Sequence, residues 1–225
     1  MLIVNIWAYI DGFNLYNGAL KNTPYRWLNL QVFSQSLRPT DHVSRVKFFT
    51  AKVNARPNDP AQPLRQMLYW RALRTISTIE IIEGHFLTKQ TRLPEVADTD
   101  HIASLQRSGT NTTGMVPRMA HVYRSEEKGT DVNLAVHLVH DAHLSRFDAA
   151  IVVSNDSDLA GAVRIVRREI GKPVFVFHPS NANPSFQLRE VANRFRPVEP
   201  HHLFSSQLPS IMIDARGTFS KPATW

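Results

Sequence analysis

The sequence predicts an α/β protein with a mainly parallel central sheet covered by helices on both faces. Three observations predict this class. Apolar runs of strand length alternate with stretches of helical periodicity. The runs at residues 2–10, 148–153 and 173–177 are apolar almost throughout, as strands buried on both faces are. Aspartates stand where such runs stop, with Asp11 after the first and Asp156 after the fourth.

Residues 2–10 read as the first strand and end in the turn Asp11-Gly12-Phe13-Asn14. One helical stretch begins at Leu15 and a second covers 28–37, before Pro39. Residues 43–53, rich in β-branched and aromatic side chains, form strand two. Asp59-Pro60 opens a helix in which Leu64, Met67, Leu68, Ala72, Leu73 and Ile76 recur at helical spacing. Strand three covers 79–87 with an interruption at Gly84. Residues 89–120 lack periodicity and read as a long loop or insertion, and 121–125 as a short strand pairing with the end of strand three.

Asp131 starts a helix with Leu134, Ala135, Leu138, Val139 and Ala142 on one face. Strand four follows at 148–153, a helix at 157–170 ending at Gly171, and strand five at 173–177. The pattern weakens after Val191, giving a domain over 1–195 and a C-terminal extension over 196–225. The extension is expected to wrap the surface or to order only in an assembly.

The 225 residues are 43% hydrophobic, enough for one domain with a substantial core. There is no cysteine, which excludes disulfides, thiolate zinc sites and thiol nucleophiles and is compatible with a cytoplasmic setting. No apolar run reaches the roughly 20 residues of a membrane helix, so no membrane partner is expected. The first residues lack a basic region and a cleavage site and read as a strand rather than a signal peptide. The formal charge of +7 favours polyanionic partners, although solubility alone also explains it.

Asp11, Asp131, Asp156 and Asp158 are the candidate functional carboxylates. Acids at strand ends of an α/β chain gather at one edge of the sheet, where ligands bind. Four like charges brought together need a cation to stay ionised, which predicts a divalent metal site and, in a basic chain, a phosphodiester substrate. The competing reading is helix capping or a dipole contact, worth about 0.5–2 kcal/mol. That reading is strong for Asp131 and Asp158 singly and weak for Asp11.

Three segments carry a resemblance to a known family. Tyr9-Ile10-Asp11-Gly12-Phe13-Asn14-Leu15, Glu127-Lys128-Gly129-Thr130-Asp131-Val132-Asn133-Leu134-Ala135 and Val152-Val153-Ser154-Asn155-Asp156-Ser157-Asp158-Leu159 resemble the three signatures of NYN domains in the PIN-like nuclease superfamily. The resemblance covers about residues 3–177, with Asn155 and Leu159 where many relatives have Gly and Phe. It implies a Rossmann-like three-layer α/β/α fold and an acidic pocket that binds Mg²⁺ or Mn²⁺ and cleaves RNA. Carried across, the metal-site and catalytic acids are Asp11, Asp131, Asp156 and Asp158. Asn14 falls at the pocket rim, and the hydroxyls of Ser154 and Ser157 support the metal-binding turn. Asn155 either alters the turn or adds a polar group near the substrate.

The chemistry agrees with that implication. Mg²⁺ accepts a few carboxylates and keeps several waters, and a held cation activates water and neutralises a leaving oxygen. Lys128 is a candidate to contact the scissile phosphate or to orient Asp131, with a solvated lysine as the alternative. Arg65, Arg71, Arg74, Arg164, Arg167 and Arg168, with Lys52, Lys89 and Arg92, are candidates for an RNA-facing rim, each individually more consistent with a wet helix face. The 89–120 segment, with Arg107 and Arg118, is the expected place of substrate selection. His137, His140 and His143 lack the His-Glu-x-x-His pattern and read as surface or packing residues; Trp7 reads as core, and Trp27 and Trp70 as core or interface residues, with base stacking as the alternative.

The expectation is a metal-dependent ribonuclease, an endonuclease, acting on single-stranded or structured RNA; a homo-oligomer is compatible with it. A non-catalytic RNA-binding or scaffold protein would keep the same pocket. A Mn²⁺-dependent nucleotide-sugar transferase explains Asp156 and Asp158 but leaves Asp11 and Asp131 without a role. A small-molecule enzyme on the same scaffold stays open, because fold does not fix function.

Overall fold

The structure, a computed structural model, describes residues 4–55, 59–179, 183–223 and 225, without the side chains at 88 and 124–127. Residues 2 and 3 of the expected first strand therefore lie outside the described residues. Two compact units are present, one formed by 1–85 with 129–225 and the other by 86–128.

The larger unit holds a six-stranded sheet of β1 (Asn5–Asp11), β2 (His42–Thr50), β3 (Ile79–Glu83), β6 (Ala149–Val153), β7 (Val174–His178) and β8 (Arg194–Pro197). Its order is β3-β2-β1-β6-β7-β8 and every neighbouring pair is parallel. The chain builds outward from β1 in one direction and from β6 in the other. The boundary between β1 and β6 is thus the point where the strand order reverses.

Alternation along β1 divides the core in two. Ile6, Ala8 and Ile10 are fully buried on one face, against Leu30, Phe33 and Leu37 of α2 (Leu30–Leu37) and Trp70 and Leu73 of α3 (Gln62–Leu73). Tyr9 faces the other layer, with Leu134, Leu138 and Ala142 of α5 (Thr130–His143) and Val163 of α6 (Ala160–Arg164). Helices on both faces make the three-layer α/β/α architecture that the sequence predicts. In α3 the expected face is corrected: Leu64 and Met67 are 59% and 61% exposed, while Tyr69, Trp70, Ala72 and Leu73 are buried.

The segment after Val191, expected to lose regular structure, is ordered. α7 (Phe186–Val191) leads into β8, then α8 (Pro200–Phe204) and a hairpin of β9 (Ile211–Asp214) and β10 (Gly217–Ser220). Trp27 Nε1 donates to Pro209 O at 2.9 Å, and Trp225 packs on Tyr69 with ring centroids 5.4 Å apart. Arg71 grips Asp214 through Nε at 2.8 Å and Nη2 at 2.6 Å. The last residues therefore pack on the α2/α3 layer.

The smaller unit replaces the unpatterned loop expected at 89–120. Strand three breaks at Gly84, and β4 (His85–Pro94) pairs with β5 (Met119–Lys128), with α4 (Val96–Arg107) between them in sequence. No residue of α4 is buried. A helix that packs so lightly needs little apolar periodicity, which is why the sequence gives no sign of it.

Candidate functional site

Asp11 is the last residue of β1 and stands at the carboxyl edge of the sheet, next to the reversal of strand order. In open α/β sheets that crevice is where ligands bind. The chain turns directly into α1 (Gly12–Leu15), and the Asp11 carboxylate caps it, accepting from Asn14 N at 2.9 Å. Gly12 makes the turn fit. A Cβ there would lie 2.7 Å from Phe48 Cε2 and 2.8 Å from Phe49 O, so only glycine lets β1 and β2 close at this point.

The turn after β6 meets Asp11 through one hydroxyl. Ser154, fully buried, donates from Oγ to Asp11 Oδ2 at 2.9 Å and accepts from Asp156 N at 3.0 Å. Asn14 Oδ1 accepts from Asn155 N at 3.0 Å. Asp156 in turn caps the short helical turn Ser157–Leu159 by accepting from Asp158 N at 3.0 Å. Asp11, Asn14, Ser154, Asn155 and Asp156 thus form one hydrogen-bonded group, with Ser157 and Asp158 exposed beside it.

The dipole reading of Asp131 and Asp158 is kept, and the cap reading, weak in the sequence for Asp11, applies there as well. Asp11 and Asp156 are the caps, while Asp131 and Asp158 sit in first turns, where a carboxylate meets the positive end of the helix. Asp131 opens α5 behind Gly129, whose φ of 92° is open to glycine at little cost. α5 enters the parallel sheet as a crossover before β6, so its first turn belongs to the carboxyl edge, and it packs against the Ser157–Leu159 turn. Lys128 is exposed and ends the smaller unit.

All candidate donors are oxygens, which suits a hard cation. Asp11 accepts from Asn14 N on Oδ1 and from Ser154 Oγ on Oδ2. Among the described residues no group of three or more acidic or histidine side chains forms a ready cage. Mg²⁺ is commonly held by one or two carboxylates plus waters, and Ser154 Oγ links the Asp11 carboxylate to the Asp156 backbone N–H.

Two features escaped the sequence reading. Asn155 uses its whole side chain: Nδ2 donates to Asn183 O at 3.1 Å and Oδ1 accepts from Ser185 N at 2.8 Å. It ties the Asp156 turn to the start of α7. The second feature is a buried charged cluster within the α5 layer. Asp141 accepts from Tyr9 Oη at 2.8 Å, Lys47 Nζ at 2.6 Å and Arg146 Nη1 at 2.7 Å, and Lys47 Nζ lies 3.0 Å from His137 Nδ1. Burial alone would raise the Asp141 pKa, but bonds from Lys47 and Tyr9 outweigh it and hold it below the usual carboxylate range. Burial, then the Asp141 charge, pushes the Tyr9 phenol well up, and burial plus the Lys47 charge pushes the His137 imidazole down. A lysine inside the apolar Val46-Lys47-Phe48-Phe49 run, and an aspartate on the Leu134/Leu138 face of α5, were the available signals.

The candidate basic rim divides. Arg65 pairs with Asp59, Arg71 with Asp214, Arg74 and Lys52 with Glu83, and Arg118 with Glu95. Arg167 donates to the carbonyls of Val191 and Ala192 at 3.0 and 3.1 Å and is structural. Arg164 and Arg168 are exposed.

The family model of the NYN domain matches residues 5–199. A curated protein of Pseudomonas putida, 6-hydroxy-3-succinoylpyridine 3-monooxygenase HspA, is 30% identical over 96% of this chain and 74% of its own length. A crystal structure of a protein of unknown function from Vibrio parahaemolyticus superposes with a TM-score of 0.53. It is 16% identical, with 92% of this chain and 97% of that one covered, and is similar in fold.

Proposed function

The chain belongs to the NYN domain family, and from that premise we propose that it is a metal-dependent endoribonuclease hydrolysing RNA phosphodiester bonds. The observation that carries the reading is the Ser154 hydroxyl, which joins Asp11 to the Asp156 turn where the strand order reverses. Asp11 and Asp156 would hold Mg²⁺ or Mn²⁺, with Asp131 and Asp158 completing the negative field. When bound, the cation supplies Lewis-acid polarisation of the phosphate and makes water a better nucleophile. In the reaction, water oxygen adds to phosphorus, one P–O ester bond breaks, and the proton released ends on the leaving ribose oxygen. Ser154 and the Asn14 backbone N–H fix the Asp11 carboxylate, while Asn14 and Ser157 contact the substrate. The proposed partner is RNA and the proposed setting cytoplasmic; no helix among the described residues is long and apolar enough to cross a membrane.

Asp156→Asn tests the proposal. Asparagine caps a helix about as well as aspartate, so the fold should survive while Mg²⁺- or Mn²⁺-dependent cleavage of RNA is abolished. Full cleavage by that variant would refute the assignment.

The HspA relative favours a second reading, a monooxygenase acting on a substituted pyridine. That chemistry places one atom of dioxygen on a ring carbon as a hydroxyl and the other in water, and it consumes a two-electron reductant. Oxygen uptake with 6-hydroxy-3-succinoylpyridine and NADH, in the absence of RNA cleavage, would favour it over the nuclease.

A further inference from the structure

We propose that the groove between α6 and α7 is a base-stacking subsite for single-stranded RNA, with Phe186 as its platform and Arg164 as its phosphate contact. This inference rests on the nuclease reading and adds to it where the strand goes beside the acids. The groove has a volume of about 370 Å³ and is lined by Gly161 and Arg164 on α6 and by Phe186 and Glu190 on α7, among others. The groove is shallow and largely open to solvent, a form that suits one face of a stacked base rather than an enclosed ligand.

Phe186 is the first residue of α7 and is 68% exposed. An isolated exposed phenylalanine is ordinary, but this one forms a groove wall. Gly161 opposite adds room, since nothing lies within 4 Å of where its Cβ would be. Glycine in an exposed helix costs about 1 kcal/mol relative to alanine, and here it leaves the α6 surface open to a flat ring.

The groove is joined to the acidic turn by bonds rather than by proximity alone. Asn155, next to Asp156, holds Asn183 O and Ser185 N, and Ser185 Oγ caps α7 by accepting from Leu188 N. The position of Phe186 is therefore fixed relative to Asp156. Arg164 is the cation that lines the groove and is exposed, and Arg168 follows it one helical turn on, beside Glu169. Glu190 is the acid within the groove, so backbone phosphates run on the Arg164 side. Base stacking on an aromatic side chain is sequence-tolerant, and the proposal predicts no strong base preference at this subsite.

The test is fluorescence anisotropy of a labelled short single-stranded RNA in EDTA, which prevents metal-dependent cleavage. Wild type, Phe186→Ala, Phe186→Tyr and Arg164→Gln are compared, with thermal melts to verify folding. Phe186→Ala should weaken binding roughly tenfold, Phe186→Tyr should restore it, and Arg164→Gln should weaken binding and flatten its salt dependence. Wild-type affinity in Phe186→Ala, absence of RNA binding by the wild type, or equal competition by a free pyridine ring at the same concentration would overturn the inference. Its failure is separable from that of the nuclease reading. Lost cleavage in Asp156→Asn with unchanged binding in Phe186→Ala removes only the groove. Phe186-dependent binding without metal-dependent cleavage by wild type removes only the catalysis.

Discussion

Ser154 Oγ stands 2.9 Å from Asp11 Oδ2, joining residues 143 positions apart at the carboxyl edge of the sheet. Asp11 is 4% exposed, so water cannot readily replace that donor. Ser154→Ala should cost about 1–3 kcal/mol of stability, the penalty for a buried group left short of a partner. RNA cleavage should fall by more than tenfold as Asp11 loses its orientation. Urea unfolding and a cleavage time course check the two effects separately.

Gly12→Ala should destabilise the fold by about 1–3 kcal/mol. The new methyl would meet Phe49 O, which is backbone and cannot swing aside. A lowered melting temperature, with Gly161→Ala unchanged or slightly raised as control, is the expected result. Gly161 meets nothing within 4 Å, so its alanine tests glycine content without a clash.

Lys47→Met should cost about 3 kcal/mol, the lower end for breaking a buried ion pair. Asp141 would lose a partner 2.6 Å away but keep Arg146 at 2.7 Å. Denaturant unfolding at neutral pH measures the loss. Lys47→Met combined with Asp141→Leu should recover part of it, since no carboxylate is then left buried without its lysine.

Acidification should weaken the same cluster in two stages. The folded His137 pKa lies below its ordinary 6.5, so its share of stability is complete above that pH and is lost as pH falls through the folded value. The folded Asp141 pKa lies below its ordinary 3.8, so its share is complete above that pH and is lost on further acidification. His137→Gln should flatten the first stage and leave the second. Unfolding free energies between pH 7 and pH 3 distinguish the stages.

Asn155→Gly should release α7 without removing an acid. Two side-chain bonds, to Asn183 O and Ser185 N, would be lost. Amide hydrogen exchange should rise at Leu188 and its neighbours, while exchange in β1 and β6 should stay slow.

The parts legible in sequence are those whose burial follows a local period. β6 is buried at all five positions and β1 at five of seven, so both appear as apolar runs. Leu134, Leu138 and Ala142 mark the inner face of α5 by spacing alone. β8 has four residues with exposed Arg194 and Arg196 at its edge position, and no run betrays it. α4 is equally hidden, because none of its residues is buried, whereas residues 121–125 of the Met119–Lys128 strand do read as a strand.

By itself the sequence determined the α/β class, the strand ends on which Asp11 and Asp156 fall, and the family motifs around them. Tertiary structure decided which carboxylates cap, that Ser154 joins the two turns, and that Asn155 reaches the start of α7. It also decided the Lys47–Asp141 pair, whose members are 94 positions apart. The physical reason is range: periodicity reports which side of an element is dry, whereas a hydrogen bond between distant elements depends on strand order, which no local pattern encodes.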